Sequence, residues 1–257
     1  PFVYGLASRL GISGFVRNQT GGVLIEVEGM VPILNRFLDE LIAHQPPLAK
    51  IYQLVCERQV PHGDGPFRIE ASSLDMPGSI LVSPDVATCD ECLRELFDPT
   101  NRRFRYPFLN CTNCGPRLTI VTGAPYDRER TTMAPFVMCD ACRAEYADPT
   151  NRRFHAQPTA CPVCGPQLQI LDDQGKPIET DDPLDRFVSK LRAGRIGAMK
   201  GLGGYHLICD AHSDAIVGEL RRRKHRDEKP FAIMVRDIQA AAALCELSCA
   251  EQAMLLS

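Results

Sequence analysis

Eight of the chain's twelve cysteines stand in four Cys-x2-Cys pairs: Cys89/Cys92, Cys111/Cys114, Cys139/Cys142 and Cys161/Cys164. Each such knuckle turns two sulfurs to one side of a tight turn, and two knuckles can close a tetrahedron around Zn2+ with Zn–S bonds of about 2.3 Å. The second pair follows the first after 18 residues, and the same spacing recurs 50 residues later. That fits the four-cysteine zinc template, in which roughly 15 to 20 residues separate the knuckles. Spacing allows sequential or interleaved pairing, and the duplication favours one metal per repeat. Four protein ligands leave no open coordination position, so two structural zincs are expected, each holding a lobe too small for a sufficient apolar core. A disulfide framework is the competing reading, but tight knuckles fit metal ligation in a reducing compartment better. Cys56, Cys209, Cys245 and Cys249 lack such partners and read as small buried apolar residues. His155 occupies the position that Arg105 holds in the first repeat, so it is no obligatory ligand and reads as a surface or inter-repeat contact.

The elements that must position these sulfurs follow from the same duplication. Residues 98–104 and 148–154 both read DPTNRRF, and Cys114 opens CGPRL where Cys164 opens CGPQL. The finger region is therefore expected over 85–171, as repeats of about 85–134 and 135–171. A linker rich in Ser, Pro and Gly precedes it over 73–84. Before that, apolar periodicity over 1–72 predicts a helix at Phe2–Leu10, a strand at Gly14–Asn18, a turn at Gln19–Gly22 and a strand at Val23–Glu28. A helix from Pro32 and strands near Ile51–Glu57 and Phe67–Ala71 complete the order. This is a ferredoxin-like α/β sandwich one strand short.

After the turn-rich 172–176, strands and helices alternate. Helices are expected at Leu184–Ala193, Ser213–Arg223 and Ile238–Leu247, and strands at Ile196–Lys200, Tyr205–Cys209 and Pro230–Val235. The span 183–257 thus reads as the start of an α/β domain, and the whole chain as α+β multidomain. Lys190 to Arg236 is its only strongly cationic stretch, with eleven Lys or Arg against five Asp or Glu. Within it, Lys200-Gly201-Leu202-Gly203-Gly204 leaves a strand with little side-chain bulk, so backbone N–H groups can approach an anion while Lys200 supplies charge. Further on, Arg221 and Arg222 end a helix, where a cation also answers the helix dipole on a solvated face. Lys224, Arg226 and Lys229 lie in the following loop, where a triphosphate or an RNA backbone would satisfy them.

Bulk composition narrows the class. With 257 residues, 44% apolar and 24% charged, the chain can hold two or three cores, and its net charge of -3 gives no reason to read the whole chain as a nucleic-acid or membrane binder, so any charge argument is local. No apolar run approaches the roughly 18 to 20 residues needed to cross a bilayer, and no leader is evident from Pro1 on, so a cytoplasmic setting is expected.

Taken together, the runs RYPFLNCTNCGPRLTI, RRFHAQPTACPVCGP and KGLGGYHLICDA resemble the N-terminal half of the HypF-type carbamoyltransferases that mature [NiFe]-hydrogenases. The resemblance implies an acylphosphatase-like domain, two zinc-finger repeats and a YrdC-like domain. It implies cleavage of carbamoyl phosphate in the first and adenylation of the carbamate by ATP, with Mg2+, in the last. A further domain, absent from this chain, would pass the carbamoyl group to a HypE-type partner. Asn18 matches the residue that orients the attacking water. Lys200, Lys224 and Arg226 match nucleotide- and phosphate-binding positions. The family's phosphate-cradling loop with its catalytic Arg would lie before Pro1, and a Ser-x-Asn element beyond Ser257. The sequence is thus expected to be truncated at both ends and inactive by itself. YrdC-like domains also bind double-stranded RNA, which the basic stretch permits. The alternatives are a non-catalytic zinc-finger module for RNA or protein, and a threonylcarbamoyl-adenylate synthase, a class with no reason to carry the cysteine repeats.

Overall fold

A computed structural model describes residues 1–19, 22–46, 48–63, 65–70, 82–123 and 126–256. The chain divides into two compact units, Pro1–Gln167 and Leu168–Ser257. The first unit holds two separate cores. One gathers Leu6, Ala7, Ile12, Phe37, Leu41 and Phe67, and the other is built on the cysteines together with Tyr106, Leu109, Met133 and Ala160.

Helix α1 (Phe2–Leu10) ends at Gly11, whose left-handed φ of 63° lets its N–H reach back to Ala7 and Ser8. Strand β1 (Ser13–Gln19) pairs antiparallel with β2 (Gly22–Glu28), α2 (Val31–Ala43) follows, and β3 (Arg68–Ile69) lies parallel to β1 on its other edge. The order β2-β1-β3 makes β1 central. Alternation along β1 turns Val16 to the helices. Phe15 instead lies beneath the guanidinium groups of Arg17 and Arg68, 5.5 and 5.2 Å from its ring centre. Gly14 is required where it stands. Its φ is 125°, and a Cβ there would sit 2.1 Å from the Glu26 carbonyl oxygen.

The strand expected at Ile51–Glu57 does not form: among the described residues, 48–63 have no ladder partner. Residues 51–60 are exposed throughout, so no buried face fixes them against the open edge of β2 or β3, and β-prone side chains alone do not make a strand. Of the other expected pieces, Thr20 and Gly21 of the turn, Ala71, and residues 73–81 of the linker lie outside the described residues.

In the finger region, α3 (Asp90–Phe97) and α4 (Asp140–Ala147) start directly after Cys89 and Cys139. The second unit contains α5 (Pro183–Arg192), the antiparallel hairpin β4 (Gly197–Lys200) and β5 (Tyr205–Ile208), α6 (Asp214–Lys224), α7 (Ile238–Ala242) and α8 (Cys249–Leu255). Residues 230–235, expected as a strand, pair with nothing among the described residues: apart from the half-buried Phe231 they are exposed, so no buried face fixes a register on the open edges of the β4–β5 hairpin. The helix expected through Leu247 stops at Ala242, and a new one opens at Ser248, whose hydroxyl and Glu251 form a capping box. No described helix is long and apolar enough to cross a membrane.

Candidate metal centres

The eight sulfurs fall into two clusters in chain order. Those of Cys89, Cys92, Cys111 and Cys114 lie within 4.8 Å of one another, as do those of Cys139, Cys142, Cys161 and Cys164. Neighbouring Sγ atoms are 3.7 Å (Cys89–Cys111), 3.8 Å (Cys111–Cys114) and 3.5 Å (Cys92–Cys114) apart in the first cluster. In the second, Cys139–Cys161 is 3.7 Å and Cys161–Cys164 3.8 Å. A tetrahedron with metal–sulfur bonds of about 2.3 Å has edges of about 3.8 Å. The separations are far beyond a disulfide bond of about 2.05 Å. The donor set thus fits a closed, four-thiolate Zn2+ site, grouped by repeat rather than interleaved.

Local structure favours thiolates here. Cys89 and Cys139 are the N-caps of α3 and α4, and Cys92 and Cys142 lie in the first turns, where helix dipoles support negative charge. The Cys139 thiol is drawn down to about 7, chiefly by a hydrogen bond from the Cys142 backbone N–H, whereas burial pushes Cys142 up to about 12. Four thiols packed this closely cannot all ionise unless a cation lies among them. Arg117 fixes the second knuckle of the first repeat by donating to the carbonyls of Cys111, Thr112 and Cys114 at 2.9–3.3 Å.

The DPTNRRF run, legible in the sequence only as a mark of duplication, is a built loop. Asp98 Oδ1 accepts from the Thr100 N–H (2.9 Å) and hydroxyl (2.7 Å), and Asn101 Oδ1 accepts from the Arg103 N–H (2.9 Å). Asp148, Thr150, Asn151 and Arg153 repeat this arrangement. Each loop delivers its two arginines to the other repeat. Arg102 and Arg103 donate to Cys142 Sγ at 3.2 and 3.4 Å and to Glu145, while Arg103 Nε donates to the Ala160 carbonyl at 2.8 Å. In return Arg152 donates to Cys92 Sγ and Glu91, and Arg153 to Glu95 and the Asn110 carbonyl. Sequence reasoning missed all four arginines. The available signal was an Arg pair and a helix Glu (Glu95, Glu145) recurring with the cysteine period.

His155 makes a contact within its own repeat. Held at φ 51°, it stacks on Tyr146 with ring centres 4.9 Å apart. Its counterpart Arg105 has a φ of 56°, so both repeats use a left-handed residue to leave the loop. His155 also borders a groove of about 1960 Å³ that is lined by β2, residues 49–62 and Asn18. Asn18 is exposed near the end of β1, and its side chain has no hydrogen-bond partner among the described residues.

In the second unit, Lys200 ends β4 and Lys224 ends α6, both exposed and without ion pairs among the described residues. The Gly201 N–H closes the KGLGG turn on the Gly204 carbonyl at 2.7 Å. Arg226 is committed to its own loop. It donates to the carbonyls of Lys229 (3.2 Å) and Pro230 (2.7 Å) and lies 5.2 Å over the Phe231 ring. Arg221 joins it, donating to the carbonyls of Arg226, Asp227 and Lys229. No hydrogen bond or ion pair unites Lys200, Lys224 and Arg226 among the described residues.

Three protein-family profiles match the chain: Acylphosphatase over residues 1–69, HypF finger over 88–121 and 138–171, and the Sua5/YciO/YrdC family, described as telomere recombination, over 189–257. The finger matches enclose both cysteine clusters and both arginine loops. Carbamoyltransferase HypF2 of Cupriavidus necator is 50% identical over 99% of the chain, and carbamoyltransferase HypF of Rhizobium leguminosarum bv. viciae is 51% identical over all of it. The chain belongs to the HypF-type carbamoyltransferase family.

This HypF-type chain spans about a third of the curated relatives it matches, 32% of each of these two. Among solved structures, full-length HypF in a phosphate- and nucleotide-bound form covers the whole chain with a TM-score of 0.84 and 43% identity. HypF of T. kodakarensis does so with 0.80 and 46%. The HypF-type region here comprises an acylphosphatase-like domain, two four-cysteine finger repeats and the start of a YrdC domain.

Proposed function

We propose that this chain is the part of a carbamoyltransferase that prepares carbamoyl adenylate. Carbamoyl phosphate is hydrolysed to carbamate and phosphate at the acylphosphatase-like domain. Carbamate and ATP, with Mg2+, then give carbamoyl adenylate and pyrophosphate at the YrdC-like domain. The carbamoyl group then passes from the adenylate to a HypE-type partner, with AMP as the leaving group, during [NiFe]-hydrogenase maturation in the cytoplasm. One observation carries the reading: the chain matches, along its whole length, a HypF structure described as phosphate- and nucleotide-bound.

In this reading Asn18 holds the attacking water through its side-chain amide. Lys200 and Lys224 present free ammonium groups to the nucleotide phosphates. Arg226 shapes the phosphate-binding loop as well as charging it. Cys89, Cys92, Cys111 and Cys114 hold one structural Zn2+, and Cys139, Cys142, Cys161 and Cys164 the other. With all four positions filled by sulfur, the ions supply folding energy and no reactive site.

The test uses the full-length protein carrying this sequence. Asn18→Ala should abolish carbamoyl phosphate-dependent pyrophosphate release, and carbamate supplied from ammonium bicarbonate should restore it. Lys200→Ala with Lys224→Ala should block release from either source. Pyrophosphate release indifferent to Asn18 would overturn the assignment of the first step. Absence of ATP-analogue binding, together with tight salt-dependent binding of double-stranded RNA, would replace the enzyme reading with that of a nucleic-acid adaptor.

A further inference from the structure

We propose that Arg102, Arg103, Arg152 and Arg153 are positioning residues for the metal centre of the opposite repeat, so that each cluster takes its ligands from one repeat and its outer hydrogen bonds from the other. The inference rests on the zinc assignment above. Four thiolates around a divalent cation form a doubly negative centre, which a partly buried setting stabilises only if cations or N–H donors face the sulfurs. At Cys142 those donors are Arg102 Nη2 and Arg103 Nη2, 3.2 and 3.4 Å away, and at Cys92 the donor is Arg152 Nη2. All three come from across the repeat boundary.

The arginines have little freedom to do otherwise. Arg103 and Arg153 are 1% and 3% exposed. Each has its Nε fixed on a carbonyl of the other repeat, Ala160 or Asn110, and its terminal nitrogens on that repeat's helix glutamate, Glu145 or Glu95. Arg152 reaches Cys92 while its own carbonyl accepts from the Thr112 N–H (3.1 Å) and hydroxyl (2.9 Å). The backbone that carries this arginine is therefore itself tied to the knuckle of the first repeat. Outer-shell donors of this kind typically change metal affinity by about 10- to 100-fold. The sulfur they hold is a ligand that must open before the ion can leave. Metal retention in one repeat is thus set by side chains of the other.

The experiment maps metal loss site by site. The zinc-loaded chain is challenged with a chelator and an alkylating reagent, and labelled cysteines are located by peptide mass spectrometry. Arg152→Gln should speed labelling of Cys89, Cys92, Cys111 and Cys114 by about 10-fold, with the second set lagging. Arg102→Gln with Arg103→Gln should reverse the order. Arg152→Lys, which keeps charge and one donor, should restore part of the protection. In the cadmium-loaded chain, the cadmium-113 resonance of the first cluster should move in Arg152→Gln while that of the second stays. Faster labelling of the mutated repeat's own cysteines, equal acceleration of both sets, or no change in either would overturn the proposal. If Arg102→Gln with Arg103→Gln fails to fold, the Arg152 series and the cadmium spectrum decide alone.

Discussion

Glu145 shows how far the finger pair depends on single carboxylates. Burial alone would raise its pKa, but hydrogen bonds from Arg103 and Arg102 carry it down to about 2. An unfolded glutamate titrates near 4.3, so the stability it contributes is full above about pH 4.3 and is lost as pH falls toward 2. Glu145→Gln should destabilise the fingers by about 2–3 kcal/mol at pH 7, because it leaves the buried Arg103 guanidinium short of its anion. The gap from the parent should close below about pH 4. Urea midpoints on the cadmium-loaded chain, in which the thiolates hold their ion to lower pH, would measure it. A second residue-scale case is Gly14. Gly14→Ala would force a Cβ against the Glu26 carbonyl oxygen, so a loss of at least about 2 kcal/mol is expected in the same assay. The two cysteine clusters were legible because Cys-x2-Cys spacing is a local, one-dimensional signal. Glu145 was not, because its value lies in a partner 42 residues away.

At the scale of elements, periodicity located α1 over its full length and found β1 and β2 to within a residue or two. It failed where pairing decides, at 51–57 and 230–235, since side-chain alternation shows that a segment can be a strand but not that a buried face will fix it to an edge. Ser248 and Glu251 were a readable capping box before α8 and went unread. The DPTN loops were recognised as repeats without their task. Their Asx-type turns predict that Asp148→Ala costs about 1 kcal/mol. It should also hasten zinc loss from the Cys89 cluster, because Asp148 shapes the loop that presents Arg152. Cys111→Ser should lower zinc content from two ions per chain to one, read by elemental analysis, with the lobe of the first repeat unfolding.

For the whole molecule, the two units differ in what holds them. In the first, metal clusters and two apolar cores share the load. In the second, Leu220 is the sole buried apolar residue among those described, while Leu202 and Met234 are 84% and 92% exposed. Scanning calorimetry of the chain should therefore show a broad low-temperature transition of Leu168–Ser257 that chelator leaves unchanged, and melting of the first unit in which chelator removes the contribution of the fingers but spares that of the core around Leu6 and Phe37. The order of the domains was readable from composition shifts and from the duplication. Which face of one repeat meets which face of the other was not, because two identical runs give no clue to their mutual orientation.

The reciprocal contacts of the DPTNRRF loops carry one more consequence. Arg103 reaches Glu145 and the Ala160 carbonyl, and 50 positions on Arg153 reaches Glu95 and the Asn110 carbonyl. A pattern in which i meets j and the equivalent of j meets the equivalent of i is the signature of an isologous interface, the kind that joins two copies of one subunit about a two-fold axis. The finger pair is thus built as a homodimer whose halves share one chain. A lone repeat of this design carries both the donor and the acceptor surface, and would meet a second copy of itself through the same arginines, glutamates and carbonyls.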